Sequence, residues 1–329
     1  MKKYKHIIII NFTIIFIAIC IPLLTVLIAY NLHFPDGYFY EDKYFRAIHM
    51  KNTLENKKTD IIFIGSSRTQ SHISTYLFKQ HGCEVYTYGR PAMKLSDFPF
   101  AIQKSIDIKP RYIFLMIDLD DLYTEIFMRF PTYEDRKFYD SSFSYTTYNE
   151  YLSDKFRIKD LFRQSKKFII NKLLNRHDEY LAAYDKNLTN QIDCDIIHWR
   201  GNIGKRSTAL CTNGNTIAFD NKVLKSEKLS HEYHSENINN KKILLLNRLV
   251  NEIKNNGIIP IVVLEPATYN FNRKYEQTYV NKIVNAKVLH LTNFENKNTP
   301  LWVDINHMNI NGRKVYTQKL ISVFDSIQK

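Results

Sequence analysis

The chain has 329 residues and a formal net charge of +13, with 44% hydrophobic and 24% charged residues. That length buries a sizeable core, and that balance excludes a largely disordered polymer. The basic excess favours anionic surroundings such as phospholipid or acidic glycan, and with no zinc-finger spacing or RNA-binding signature, nucleic acid is not an expected partner.

Lys2, Lys3 and Lys5 precede residues 7–30, a run without a charged side chain made mainly of Ile, Leu, Phe, Val and Ala. At ~1.5 Å per residue the run reaches roughly 36 Å as a helix, enough to cross a hydrocarbon core of about 30 Å. Asn11, Thr13 and Pro22 interrupt it, which a spanning helix tolerates. The run is long for a cleaved leader and lacks a small-residue cleavage site; Ile19 before Cys20 is too large for a lipoprotein box. The lysines place residues 1–6 in the cytoplasm and send the remainder across. A single-pass membrane protein with its main domain periplasmic or extracellular is therefore expected. Residues 31–56, with the turn Pro35-Asp36-Gly37, read as a juxtamembrane stalk. Of the four cysteines, Cys194 and Cys211 are available for a disulfide in an oxidising compartment, with Cys83 left over. No C-x-x-C pair occurs, so a structural zinc site is not expected; no other metal and no cofactor is expected.

From residue 57 the pattern changes. Asp60-Ile61-Ile62-Phe63-Ile64 is a continuous apolar run ending at Gly65, the mark of a buried parallel strand. The sequence predicts a helix over 71–80, a strand at 84–87 closed by Gly89, a helix from Asp97 through Ser105, and a strand over 112–117. Asp118-Leu119-Asp120-Asp121 closes that strand. The rhythm then stops. Residues 123–240 are rich in Tyr, Lys, Asn and Asp, with a basic helix expected over 156–175, and read as a long insertion. Alternation resumes with a helix over 242–255, a strand over 258–264, a helix over 275–285, a strand over 287–291 and a last helix over 311–327. Strand–helix alternation of this kind is the sign of a parallel sheet covered on both faces.

Two motifs carry chemistry. Gly65-Ser66-Ser67-Arg68 ends the first strand, and ligands bind at the carboxyl ends of strands in open α/β sheets. A serine in that turn exposes its hydroxyl beside the N–H groups of a helix start, although capping a helix is also a common use of serine there. Asp304-Ile305-Asn306-His307 precedes the last helix. A serine hydroxyl needs a base to take its proton, and a carboxylate three residues before a histidine can fix that histidine's tautomer.

Taken together, these blocks resemble those of the SGNH (GDSL-like) hydrolase family. The resemblance implies a three-layer α/β/α domain of flavodoxin-like arrangement over 57–329, with Ser67 as nucleophile, His307 as general base and Asp304 as its orienting acid. It assigns oxyanion-hole roles to the backbone of Ser67 and to Gly89 in Thr87-Tyr88-Gly89. The third-block asparagine is replaced here by Asp120, whose ionised carboxylate accepts and cannot donate to an oxyanion. Either Asp120 is neutral and serves in the oxyanion hole, or a group such as Arg68 or Arg90 substitutes, or catalysis is feeble; Arg68 and Arg90 are also the candidates for contacting substrate. The anchor makes the chain similar to membrane-bound members that move acyl groups onto envelope polymers, such as alginate acetyltransferases and the teichoic acid D-alanylation protein. Expected partners are the membrane, an envelope glycan or acyl donor, and a multi-spanning acyltransferase. The alternatives are an inert SGNH-like glycan-binding or scaffold protein of an export complex and, further off, a haloacid dehalogenase-like phosphatase using Asp118 and Asp120. Glu265 ends a strand at the same sheet edge and is a lesser substrate-contact candidate. His198, His231 and His234 lack the partners that a metal site needs.

Overall fold

A computed structural model of the protein describes residues 13, 14, 16, 43–123, 127–128, 144–145, 194, 196–200, 207–219, 239–266, 280–292, 294, 299–304 and 306–328. The expected membrane span at 7–30 and the basic helix at 156–175 lie outside them, apart from residues 13, 14 and 16. Among the described residues no helix is long and apolar enough to cross a membrane.

In chain order the main domain runs α1 (Lys43–Leu54), β1 (Ile61–Gly65), α2 (Ser67–His72), α3 (Thr75–Gln80), β2 (Val85–Gly89), α4 (Phe98–Ile108), β3 (Tyr112–Ile117) and α5 (Leu119–Tyr123). Within 123–240 the described strands are β4 (Phe127–Met128), β5 (Ser144–Tyr145), β6 (Ile196–Arg200), β7 (Ser207–Cys211) and β8 (Thr216–Phe219). The domain then closes with α6 (Asn240–Asn255), β9 (Ile259–Leu264), β10 (Lys287–His290) and α7 (Ile310–Gln328). The main sheet has five parallel strands in the order β10-β9-β3-β1-β2.

Alternate strand residues feed opposite faces of this sheet, as the two-residue period of a strand requires. Ile62, Ile64, Tyr88, Ile113, Leu115 and Val262 pack with buried residues of α1, α4 and α6. Ile61, Phe63, Phe114, Met116 and Val263 pack with α3 and α7 on the other side. Because both faces are covered, the central strands β1, β3 and β9 are apolar without interruption, which is how the sequence announced them. Truncating Phe63 or Phe114 to Ala, where the two rings meet tilted at a centroid distance of 5.0 Å, removes contacts worth about 3–5 kcal/mol.

Three elements differ from the sequence expectation. Residues 43–54, read as part of a stalk, form α1, whose Ala47, Met50 and Leu54 are buried in the core. The helix expected over 71–80 is broken into α2 and α3. Ile73 is extended, Ser74 caps α3 through its side chain, and Thr317 on α7 accepts from the Ser74 N–H. The insertion supplies a three-stranded antiparallel sheet, β6-β7-β8, in which Cys194 and Cys211 are joined as a disulfide. Its β7–β8 turn docks against β2: Thr87 N–H donates to Asn213 O at 2.9 Å, and buried Arg46 donates to both Thr87 O and Gly214 O. Gly214 has φ +82, and a Cβ there would lie 2.4 Å from Thr87 O, so only glycine fits this close approach.

Candidate active site

Ser66 and Ser67 divide the two uses of serine between them. Ser66 is the N-cap of α2, its hydroxyl oxygen accepting from the Arg68 N–H at 3.2 Å. That leaves the Ser67 hydroxyl free of capping duty at the carboxyl edge of β1. The other half of the site is a tight loop in which Trp302 bridges Met308 and the Val303 N–H donates to His307 O at 2.9 Å. Asn309 Oδ1 accepts from Gly312 N–H at 3.0 Å and caps α7, and the Asn309 amide donates to Pro300 O at 2.6 Å. A Cβ on Gly312 would fall 2.1 Å from Leu301 O, so glycine lets α7 approach the turn.

The loop delivers His307 to Ser67, 240 residues away, with His307 Nε2 3.0 Å from Ser67 Oγ. His307 Nδ1 lies 2.9 Å and 3.1 Å from the two Asp304 carboxylate oxygens. A carboxylate only accepts, so Nδ1 carries the proton and donates to Asp304, and Nε2 accepts from the Ser67 hydroxyl. Asp304 Oδ1 also accepts from the backbone N–H of Asn306 at 2.8 Å and of His307 at 2.9 Å. These bonds hold the carboxylate in one orientation.

Gly89 stands at the end of β2, level with Gly65 at the end of β1. A Cβ on it would lie 2.7 Å from the backbone nitrogen of Gln70, so its lack of a side chain seats β2 against α2. Arg90 N–H bonds to Gly65 O and Thr87 N–H bonds to Asn213 O. By strand alternation the Gly89 N–H points to the same side as that of Thr87 and is not used in pairing with β1.

The two arginines are engaged with protein carboxylates. Buried Arg68 pairs with Asp118 at 2.9 Å and donates to Asn306 Oδ1 at 2.6 Å. Arg90 lies 3.7 Å from Asp97. Asp120 falls in α5, with its side chain outside the described atoms. Asp118, the leading carboxylate of the phosphatase-like alternative, is the Arg68 partner. Asp121 is buried, accepting from Leu95 N–H and ion-paired with Lys242 at 2.7 Å, which ties the end of β3 to the start of α6. His231 and His234 lie outside the described residues, as does the side chain of His198.

Glu265 is turned inward rather than toward a substrate. It is fully buried at the end of β9, accepts from Thr69 Oγ1 at 3.1 Å, and burial pushes its pKa up to about 8 although the Arg68 charge opposes the shift. His72 was absent from the sequence reading. It is fully buried, its Nε2 accepts from Met308 N–H at 3.1 Å, and burial foremost, then the His307 and Arg68 charges, drives its pKa well below the usual range. The only signal for it was its place four residues after Arg68, on the same side of a helix.

Comparison of the chain with family models, curated proteins and solved structures finds no match.

Proposed function

We propose that this chain is a membrane-anchored SGNH-type serine esterase or O-acyltransferase acting on acyl esters of cell-envelope polysaccharide. The observation that carries the reading is the continuous chain Ser67–His307–Asp304, with bonds of 3.0 Å and 2.9 Å, at the carboxyl edge of a parallel sheet. The strand order β2-β1-β3-β9-β10 is that of flavodoxin-like folds, in keeping with an SGNH domain.

Ser67 Oγ attacks the ester carbonyl as its proton passes to His307 Nε2. The C–O bond to the alcohol then breaks, and His307 returns the proton to the departing oxygen. Asp304 stabilises the imidazolium between these steps, and the backbone N–H groups of Ser67 and Gly89 receive the oxyanion. Water resolves the acyl-enzyme to a free acid; a sugar hydroxyl resolves it to an acylated polymer. The Cys194–Cys211 disulfide supports an oxidising compartment, in line with the lysines ahead of the uncharged run and a domain outside the cytoplasm.

The replacement of the family's third-block amide by Asp120 favours a second reading, an inert domain that binds glycan or scaffolds an export complex. Steady-state turnover of an aryl acetate and of acetylated polysaccharide separates the two. Turnover that Ser67→Ala reduces by at least about a thousandfold supports the enzyme; glycan binding unchanged in Ser67→Ala, with no ester cleaved by the wild type, supports the scaffold.

A further inference from the structure

Two side chains of the nucleophile helix reach across to the loop that carries His307. Arg68 and His72 are four residues apart on α2 and therefore share a face. Arg68 Nη2 donates to Asn306 Oδ1 at 2.6 Å; since a guanidinium only donates, it is the amide oxygen that must face it. His72 Nε2 accepts from the backbone N–H of Met308 at 3.1 Å. The two contacts thus land on the residues immediately before and after His307.

Both grips are themselves held. Arg68 is anchored to Asp118 at 2.9 Å. The His72 ring is fully buried, with Trp302 and Tyr316 packed edge-on at centroid distances of 5.7 and 5.9 Å. Its low pKa keeps the ring neutral, so Nε2 stays an acceptor. Asp304 cannot do this job. It sits on the same loop as His307, so it sets the rotation of the ring within the loop, not the distance of the loop from Ser67.

We propose that Arg68 and His72 form a two-point clasp that positions the His307 imidazole against the Ser67 hydroxyl. Both are positioning residues for the acyl-transfer reaction argued above, and the inference rests on that reading for its consequence. Arg68 then serves the site from behind instead of touching substrate. Proton transfer depends steeply on distance, and a misplacement of ~1 Å costs about a hundredfold.

The test compares Arg68→Met, His72→Leu, their double variant and His72→Gln, which returns an acceptor at similar reach. Three readings are taken on the full-length protein: kcat and KM for an aryl ester, melting temperature, and the imidazole ¹⁵N signals of His307. In Arg68→Met and His72→Leu, kcat should fall about 30- to 100-fold with KM within about twofold, and the His307 signals should broaden. The double variant should lose far less than the product of the two, because one loop is being released. His72→Gln should recover at least about tenfold. If His72→Leu does not fold, Arg68→Met decides by the same readings. Equal loss in His72→Leu and His72→Gln, or unchanged kcat and unchanged His307 signals in Arg68→Met, overturns the clasp. The spectrum needs no turnover: broadened signals in a protein whose wild type cleaves no ester would uphold the clasp while the enzyme reading falls.

Discussion

Ser66 and Ser67 show how a cap supplied by one residue releases its neighbour from that duty. A lone serine after β1 would cap the helix, and here Ser66 does so, accepting from the Arg68 N–H. Ser67, Asp304 and His307 were legible because each comes from a short motif tied to a strand end or a helix start. The contacts of Arg68, His72 and Glu265 were not, since they reach residues about two hundred or more positions away. Glu265 makes the clearest prediction at this scale. With its folded pKa raised from 4.5 to about 8, the folded protein holds a proton that the unfolded chain has released across that window. Its contribution to stability is therefore present below about pH 4.5, falls as pH rises toward 8, and is flat above. Glu265→Gln removes this dependence. Its melting temperature relative to wild type should rise between pH 5 and pH 8, by an amount corresponding to on the order of a few kcal/mol. A difference that stays constant across those pH values would contradict the burial argument.

The strands were legible as elements because a two-sided sheet demands uninterrupted apolar runs: 112–117 is both the expected strand and β3. Helix boundaries were harder. The break between α2 and α3 is stabilised by Thr317 of α7, which accepts from the Ser74 N–H and donates to His72 O, and no local propensity encodes that partner. The β7–β8 hairpin did carry a local signal, Asn213-Gly214 between apolar runs, a strong short-range hairpin mark hidden by the polar composition of its surroundings. Gly312 is the place where an element's packing reaches the site. Adding a methyl there drives Cβ to within 2.1 Å of Leu301 O and pushes α7 from the turn that precedes Trp302. Gly312→Ala should lower stability by about 1–3 kcal/mol in denaturant unfolding and weaken ester turnover as well. Wild-type stability in that variant would show that the close approach is not required.

At the scale of the whole molecule, the sheet order brings the ends of β1 and β2 level with each other and leaves the loop before α7 to close over them. The insertion is not merely appended. Through Asn213, Gly214 and Asn215 it is bonded to β2, α1 and α3, while Arg313 of α7 donates to Thr216 O at 2.8 Å, so one hairpin braces both halves of the site. On the proposed reading the uncharged run at 7–30 holds this assembly at a membrane surface, where the basic excess suits anionic polymer. On that proposed reading all of it serves one chemical event, the activation of the Ser67 hydroxyl by His307. Incubation of the full-length protein with a fluorophosphonate probe, followed by peptide mass spectrometry, reads that event directly. The expected result is a single adduct on Ser67 that is lost in Ser67→Ala and slowed by at least about a thousandfold in His307→Ala. An adduct on any other residue, or no adduct on folded wild-type protein, would contradict it.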